Sequence, residues 1–293
     1  MASSVGRRPA AAAIRALPAV MVVLLALARP GHAVDGVIEI NQARASAGGV
    51  TPGDAPGFPV TIARAGSYRL TGSLRVPSAK DGIEVKASNV TIDLNGFSIE
   101  PDGGATPGSG IAANFAGVRA THVRRGAVSG MTNRGIWVNE QSIVEDVRVG
   151  SCFVTGIEAS GSIVRRCAVT ACRNSGLSVT DGAVIECTAI GNGDPDPSSA
   201  ANAIGIRAIR STVADCVVSS NTGTGVVAVG GVITGCTVTL NSEGGILNPS
   251  PLTADAVGIA HSSAMRNGPG PVQTRAGNVS GLFVEMSGNV FPP

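Results

Sequence analysis

The strongest constraint in this sequence is an internal repeat of about twenty residues. A glycine followed by a mostly apolar residue recurs at Gly82, Gly110, Gly135, Gly156, Gly176, Gly205, Gly225 and Gly245. The steps between them are 28, 25, 21, 20, 29, 20 and 20 residues, and the 29-residue step contains GNGDPDPSSAANA, which fits a 20-residue unit with a nine-residue insertion. A sustained period of this length is typical of solenoids, in which each unit buries its apolar face against the next.

Other positions keep the same register. Further columns contain Val144, Val164, Val184, Val213 and Ile233; Val147, Cys167, Cys187, Cys216 and Cys236; Val149, Val169, Ala189, Val218 and Val238; and Ile136, Ile157, Leu177, Ile206, Val226 and Ile246. Within a unit the apolar residues alternate with a period of two, which indicates strands. Stacking these strands in register predicts an all-β fold, a single-stranded right-handed parallel β-helix with N- and C-terminal caps.

The chain divides into four predicted segments. Residues 1–33 have Arg7, Arg8 and Arg15, then the apolar stretch VMVVLLALA, and small residues near Ala33, which together predict a cleaved signal peptide. An uncleaved N-terminal anchor is the alternative. We expect an N-terminal cap over 34–80, the β-helix over 81–250 and a C-terminal cap or tail over 251–293. The expected product is a periplasmic or secreted monomer with no transmembrane segment in the mature chain.

The charge of the chain gives no support for a nucleic-acid partner. The formal net charge is +2, but the four arginines of residues 1–33 leave with the signal peptide, so the mature chain has 18 basic and 20 acidic residues, a net charge of −2. A chain without a net positive charge gives no reason to expect a nucleic-acid partner.

Several segments resemble a known superfamily. GSYRLTG followed by NVTIDLNGFSI, and GIWV units alternating with strands such as SIVRRCAV, are similar to the right-handed parallel β-helix proteins of the pectate-lyase-like superfamily, and in particular to its exported bacterial members of unassigned chemistry. The resemblance implies the fold. It leaves the activity open, because this fold includes lyases, hydrolases, esterases, epimerases and adhesins.

The six cysteines follow the repeat. Four lie in one predicted inward column, and Cys152 and Cys172 lie in a second column that continues as Asn192, Asn221 and Asn241. Small buried thiols suit a solenoid core, although disulfides between neighbouring rungs are the alternative. The asparagines predict a ladder of amide hydrogen bonds at a turn.

A column of charged residues offers the first candidate binding site. Its members are Arg125, Asp146, Arg166, Glu186 and Asp215, with Arg124, Glu145 and Arg165 beside them. One interpretation is a polar stripe that grips an anionic or polyhydroxy chain. The other is a ladder of exposed salt bridges, each contributing about 0–1 kcal/mol, that also disfavours slipped registers.

Asp194 and Asp196 in the insertion are the second candidate, because loops that leave a solenoid are common places for function. Two carboxylates spaced by one residue could contribute to a Ca²⁺ site, although Pro-Asp-Pro is also ordinary turn chemistry. Apart from this Ca²⁺ the sequence predicts no cofactor. The enzyme motifs expected of polygalacturonases, pectate lyases and mannuronan epimerases are absent from the sequence.

These features favour an exported, non-catalytic β-helix that presents a surface to an extracellular or cell-envelope polysaccharide. A lyase or hydrolase that acts on an acidic polysaccharide is one alternative. A structural envelope or adhesin component is the other. No catalytic residues are assigned.

Overall fold

The protein is described by a computed structural model over residues 36–103, 108–194, 203–250 and 256–268, together with the backbone of 279–280 and 283–285. It is a parallel β-solenoid of about 9 turns with almost no helix. Every strand pairing in it is parallel and joins a strand to its equivalent in the next rung. The predicted parallel β-helix is confirmed.

Each complete rung contributes to three sheets, which we call A, B and C in chain order. Sheet A contains β2 (Val60–Ile62), β5 (Ile83–Val85), β8 (Ile111–Ala113), β10 (Ile136–Val138), β12 (Thr155–Ser160), β15 (Ser175–Thr180), the first halves of β18 (Ile204–Ala214) and β20 (Thr224–Thr234), β22 (Gly244–Leu247) and β25 (Val279–Ser280).

Sheet B follows sheet A within each rung. It contains β1 (Ile38–Ile40), β3 (Gly66–Leu70), β6 (Val90–Asp93), the first halves of β9 (Thr121–Ser129) and β11 (Ile143–Gly150), β13 (Ile163–Arg165), β16 (Ala183–Ile185), the second halves of β18 and β20, β23 (Val257–Ala260) and β26 (Phe283–Glu285). Sheet C contains β4 (Leu74–Val76), β7 (Ser98–Pro101), the second halves of β9 and β11, β14 (Ala168–Thr170), β17 (Thr188–Ile190), β19 (Val217–Ser219), β21 (Thr237–Thr239) and β24 (Ser263–Met265).

Parallel pairing extends outside residues 81–250. In the segment expected to form the N-terminal cap, β1 pairs with β3 and β2 with β5. Beyond residue 250, β23 pairs with β20 and β24 with β21. Solenoid rungs therefore occupy part of both flanking segments.

The helix α1 (Gln42–Ala47) helps to close the N-terminal end. Asn41 caps it by accepting a hydrogen bond from the Arg44 N–H at 3.0 Å. The Gln42 side chain both donates to the Arg75 carbonyl at 3.1 Å and accepts from the Arg75 N–H at 2.8 Å. It thereby satisfies the backbone of β4, a strand that begins sheet C and would otherwise expose its edge.

The interior is one continuous apolar column. The predicted inward columns are buried, including Val164 and Leu177 at 0% exposure. The six cysteines are also buried, and all are free thiols. At the corner between sheets C and A, the Asn192 amide donates to Asn221 at 3.0 Å and the Asn221 amide to Asn241 at 2.8 Å, so the predicted asparagine ladder is confirmed.

None of the described residues forms a helix long and apolar enough to cross a membrane. The predicted signal peptide, residues 1–33, lies outside the described residues.

Candidate functional site

The predicted charged stripe lies at the corner between sheets B and C. Its five members are exposed and all have positive φ: Arg125 (57°), Asp146 (55°), Arg166 (50°), Glu186 (53°) and Asp215 (53°). A single left-handed residue turns the chain sharply, and aspartate adopts this conformation more readily than most residues. The position is therefore first a bend of the solenoid, and its side chains form a row because the bends are stacked.

The stripe is paired at one end. Arg166 donates to both carboxylate oxygens of Asp146, at 2.8 and 2.9 Å, and this hydrogen bonding lowers the pKa of Asp146. Arg125 donates to Asp93, which is not a member of the stripe. Among the described residues, no ion pair is found for Glu186 or Asp215. The ladder of salt bridges considered from the sequence thus forms only in part.

Two carboxylates of low exposure organise the outer face of sheet B. The Asp93 and Glu145 side chains are 4% and 11% exposed. Glu145 accepts from His122 at 2.7 Å, from Arg165 Nε at 2.7 Å and from Arg166 at 2.9 Å. Burial alone would raise the pKa of each carboxyl group, but hydrogen bonds from Arg125 to Asp93 and from His122 and Arg165 to Glu145 outweigh it, and both pKa values are lowered. Both groups are held as carboxylates.

The outer face of sheet A combines aromatic, polar and charged side chains. Strand register places Trp137 beside Glu158, Glu158 beside Ser178, and Ser178 beside Arg207. The Arg134 guanidinium stacks 4.0 Å from the Trp137 ring centroid, and its Nε donates to Glu158. This stacking and hydrogen bonding hold the indole ring, the guanidinium and the carboxylate in one fixed arrangement.

A groove follows this face. One open depression of about 350 Å³ is lined by Thr155, Glu158, Asn174, Ser175, Ser178, Thr180, Ile204, Arg207 and Ile209. A second, of about 370 Å³, is lined by Gly117, Val118, Arg119, Asn139, Glu140 and Ser160. The first depression lies over sheet A, and the second lies at the corner between sheets A and B. They come near each other where Ser160 and Thr180 are register partners. We call them together the sheet A groove.

Asp194 lies near this groove. Its carboxylate is 3.7 Å from Arg173 Nε, and the Arg173 guanidinium is stacked 4.4 Å from the ring centroid of Phe153. Phe153 is 52% exposed. Asp196, its predicted companion in a Ca²⁺ site, lies outside the described residues. Within the described part of the chain, no group of three or more His, Cys, Asp or Glu side chains is arranged to hold a metal ion.

The two predicted sites occupy different corners of the solenoid. The stripe follows sheet B, whereas Asp194 follows sheet C and precedes sheet A. Sequence reasoning missed Trp137, Glu158 and Arg207. Each stands two residues after a repeat glycine (Gly135, Gly156 and Gly205), so the register that located the core also contained these outward positions.

Comparisons with known proteins agree with the fold. The chain is similar to the A-module of the mannuronan C-5 epimerase AlgE4 of Azotobacter vinelandii, with a TM-score of 0.51, 14% identity, and coverage of 71% of this chain and 61% of that module. It is also similar to the Dettilon tailspike protein gp208, at a TM-score of 0.49 and 12% identity over 78% of this chain and 57% of that one. For pectate lyase Pel9A the values are 0.44 and 10%, over 75% and 71%.

No family model and no curated protein matches the sequence. The chain spans 61% of the length of the epimerase module, and a likeness at 14% identity shows the fold alone. With its three parallel sheets and the resemblance of its rungs, the chain has the right-handed parallel β-helix fold of the pectate-lyase-like proteins.

Proposed function

We propose that the protein binds an acidic polysaccharide in the sheet A groove. The observation that carries this proposal is the outward row Trp137, Glu158, Ser178 and Arg207, which combines an aromatic ring, a carboxylate, a hydroxyl group and a guanidinium along one open face. Sugar rings pack against aromatic faces and exchange hydrogen bonds with such polar groups.

The shape of the groove favours a polymer. The row from Trp137 to Arg207 crosses three strand spacings, roughly 14 Å at about 4.8 Å each. Glu158, Ser178 and Arg207 line the first depression, Trp137 lies one strand before them, and both depressions are open to solvent. A small ligand is usually enclosed by its pocket, whereas an extended chain needs a continuous open path.

Guanidinium groups favour an acidic sugar. Arg207 is exposed in the groove, and Arg134 and Arg173 are stacked on aromatic rings near it. The planar guanidinium donates two parallel hydrogen bonds to a carboxylate, which a neutral sugar lacks. The name of the epimerase module that this fold resembles also refers to a uronic acid polymer, mannuronan.

We expect binding without cleavage. Glu158 is held by Arg134, and Asp194 lies 3.7 Å from Arg173. A general acid or base needs a carboxyl group that is free to exchange a proton with the substrate. No metal is needed for the contacts proposed here, so binding should persist in a chelator.

The single tryptophan of the chain, Trp137, is the register partner of the groove residue Glu158 and can therefore report binding there. Titration of the protein with polygalacturonate or alginate oligosaccharides should change the Trp137 fluorescence saturably, and a neutral glucan should not. Arg207→Gln should weaken binding about tenfold, the effect of losing one charge-assisted hydrogen bond. The matched control is Arg148→Gln, an exposed arginine of sheet C, which should bind like the wild type.

Two results would contradict the proposal. If Arg207→Gln and Arg148→Gln weaken binding equally, the interaction is general electrostatics and not a site on sheet A. If the same mixtures develop unsaturated products at 235 nm or new reducing ends, the protein is a lyase or hydrolase. An Asp194→Ala/Asp196→Ala variant would then test whether the insertion takes part.

A further inference from the structure

We propose that the outer face of sheet B carries a second binding site, for a divalent oxyanion such as sulfate or phosphate. The site is centred on Asp93 and includes Arg69, Arg124 and Arg125, which we call the Asp93 cluster. It lies on another sheet from the sheet A groove and does not depend on the function proposed there.

Three guanidinium groups converge on the single carboxylate of Asp93. Arg125 forms the full pair, donating from Nε to Oδ1 at 3.1 Å and from its terminal nitrogen to Oδ2. Arg124 and Arg69 approach the same Oδ2 only to 3.5 and 4.0 Å. Arg125 already engages both oxygens, so two positive charges of the Asp93 cluster are left without a carboxylate of their own.

One donor of the Asp93 cluster has no acceptor in the described part of the chain. Arg124 Nε is buried and has no hydrogen-bond partner among the described residues. A buried donor without an acceptor lowers the stability of the folded state. Each guanidinium has five N–H donors that need acceptors. Glu39 is the register neighbour of Arg69, but no ion pair joins them in the part of the chain that is described.

An external anion can approach the exposed parts of these two side chains, whereas Arg124 Nε itself is buried. The side chains of Arg69 and Arg124 are 45% and 36% exposed, while Asp93 below them is 4% exposed and fixes their position. Sulfate and phosphate offer several oxygens to forked donors on opposite sides, which a single carboxylate cannot.

Neighbouring charges do not satisfy the Asp93 cluster. In the next rungs, Glu145 accepts from His122, Arg165 and Arg166, and Asp146 accepts from Arg166. Asp146 also acts on Arg125 through its charge, but its hydrogen bonds go to Arg166. The adjacent carboxylates are therefore already engaged by cations of their own.

The test is calorimetric titration of the whole protein with sodium sulfate and with sodium phosphate, at constant ionic strength in chloride. Saturable binding is expected, and Arg69→Gln/Arg124→Gln should weaken it about tenfold or more while leaving the Asp93–Arg125 pair intact. Arg148→Gln/Arg266→Gln removes the same charge from exposed positions elsewhere and should bind like the wild type. Circular dichroism checks folding, and the single variant Arg69→Gln, at a half-exposed position, provides a milder test.

The source of the anion is distinguished by a third titration, with a sulfated oligosaccharide and its unsulfated counterpart. Tighter binding of the sulfated sugar than of free sulfate would identify an ester group carried by a glycan, and equal binding would identify the free ion. Absence of saturable binding to every anion, or equal weakening in the two double variants, would overturn the proposal.

Discussion

At the scale of single residues, the twenty-residue period arises from three bends per rung. In one rung Gly161, Arg166 and Ala171 have φ of 56°, 50° and 55°. They lie at the three bends of the rung, from sheet A to sheet B, from B to C, and from C to the next strand of A. For residues other than glycine this conformation costs about 1–2 kcal/mol, which the packing of the apolar columns must offset. The charged stripe occupies one of these bends, so its regular spacing has a structural origin whether or not it binds a ligand.

The repeat glycines have a separate steric origin, which can be tested at Gly156. A Cβ atom there would overlap the Val169 side chain and lie 2.7 Å from the Gly176 carbonyl oxygen. Gly156→Ala should therefore destabilise the protein by about 1–3 kcal/mol, measured by urea unfolding. Gly72→Ala is the matched control, because its new Cβ would meet its nearest neighbour at an ordinary 3.7 Å. Equal effects of the two substitutions would show that this glycine column is misplaced.

At the scale of elements, register determined what the sequence could predict. Columns such as Val144, Val164 and Val184 were predictable because inward positions must be apolar and their rungs are 20 residues apart. The pairing of Asp93 with Arg124 was not, because those residues are 31 positions apart and belong to rungs of irregular length. The sheet A groove was missed for another reason: outward positions have no apolar requirement, so Trp137 and Arg207 form no visible column.

The cysteine column provides a prediction at the same scale. All six cysteines are at most 2% exposed, and a thiol buried among apolar side chains is out of reach of an alkylating reagent. Native protein should resist iodoacetamide, and all six cysteines should react after denaturation. Thr237→Cys, at an exposed position of sheet C, should react in the native state and serves as the positive control. Peptide mapping that finds Cys167 linked to Cys187, or Cys216 to Cys236, would support disulfides in place of the free thiols described here.

At the scale of the whole molecule, one backbone presents three different outer faces. Sheet A carries aromatic and polar groups in a groove, and sheet B carries the buried carboxylates and their arginines. Sheet C offers mainly small and uncharged residues, such as Ala168, Thr188 and Thr237. Because the repeated core sets only the inward positions, each face can acquire its own chemistry without disturbing the others.

Both proposed sites require the rungs to be stacked in register, and a distance measurement tests this most directly. On sheet C the register partners between Ser98 and Thr237 are Ala127, Arg148, Ala168, Thr188 and Val217, which gives six strand spacings. Spin labels at Ser98→Cys and Thr237→Cys should therefore lie roughly 29 Å apart at about 4.8 Å per spacing, and labels at Arg148→Cys and Thr237→Cys roughly 19 Å apart. The label arms are common to both pairs, so pulsed electron paramagnetic resonance should give two narrow distributions that differ by about 10 Å, the length of two spacings. Distributions that coincide, or that differ by a clearly different amount, would contradict the in-register solenoid and with it the faces on which both sites depend.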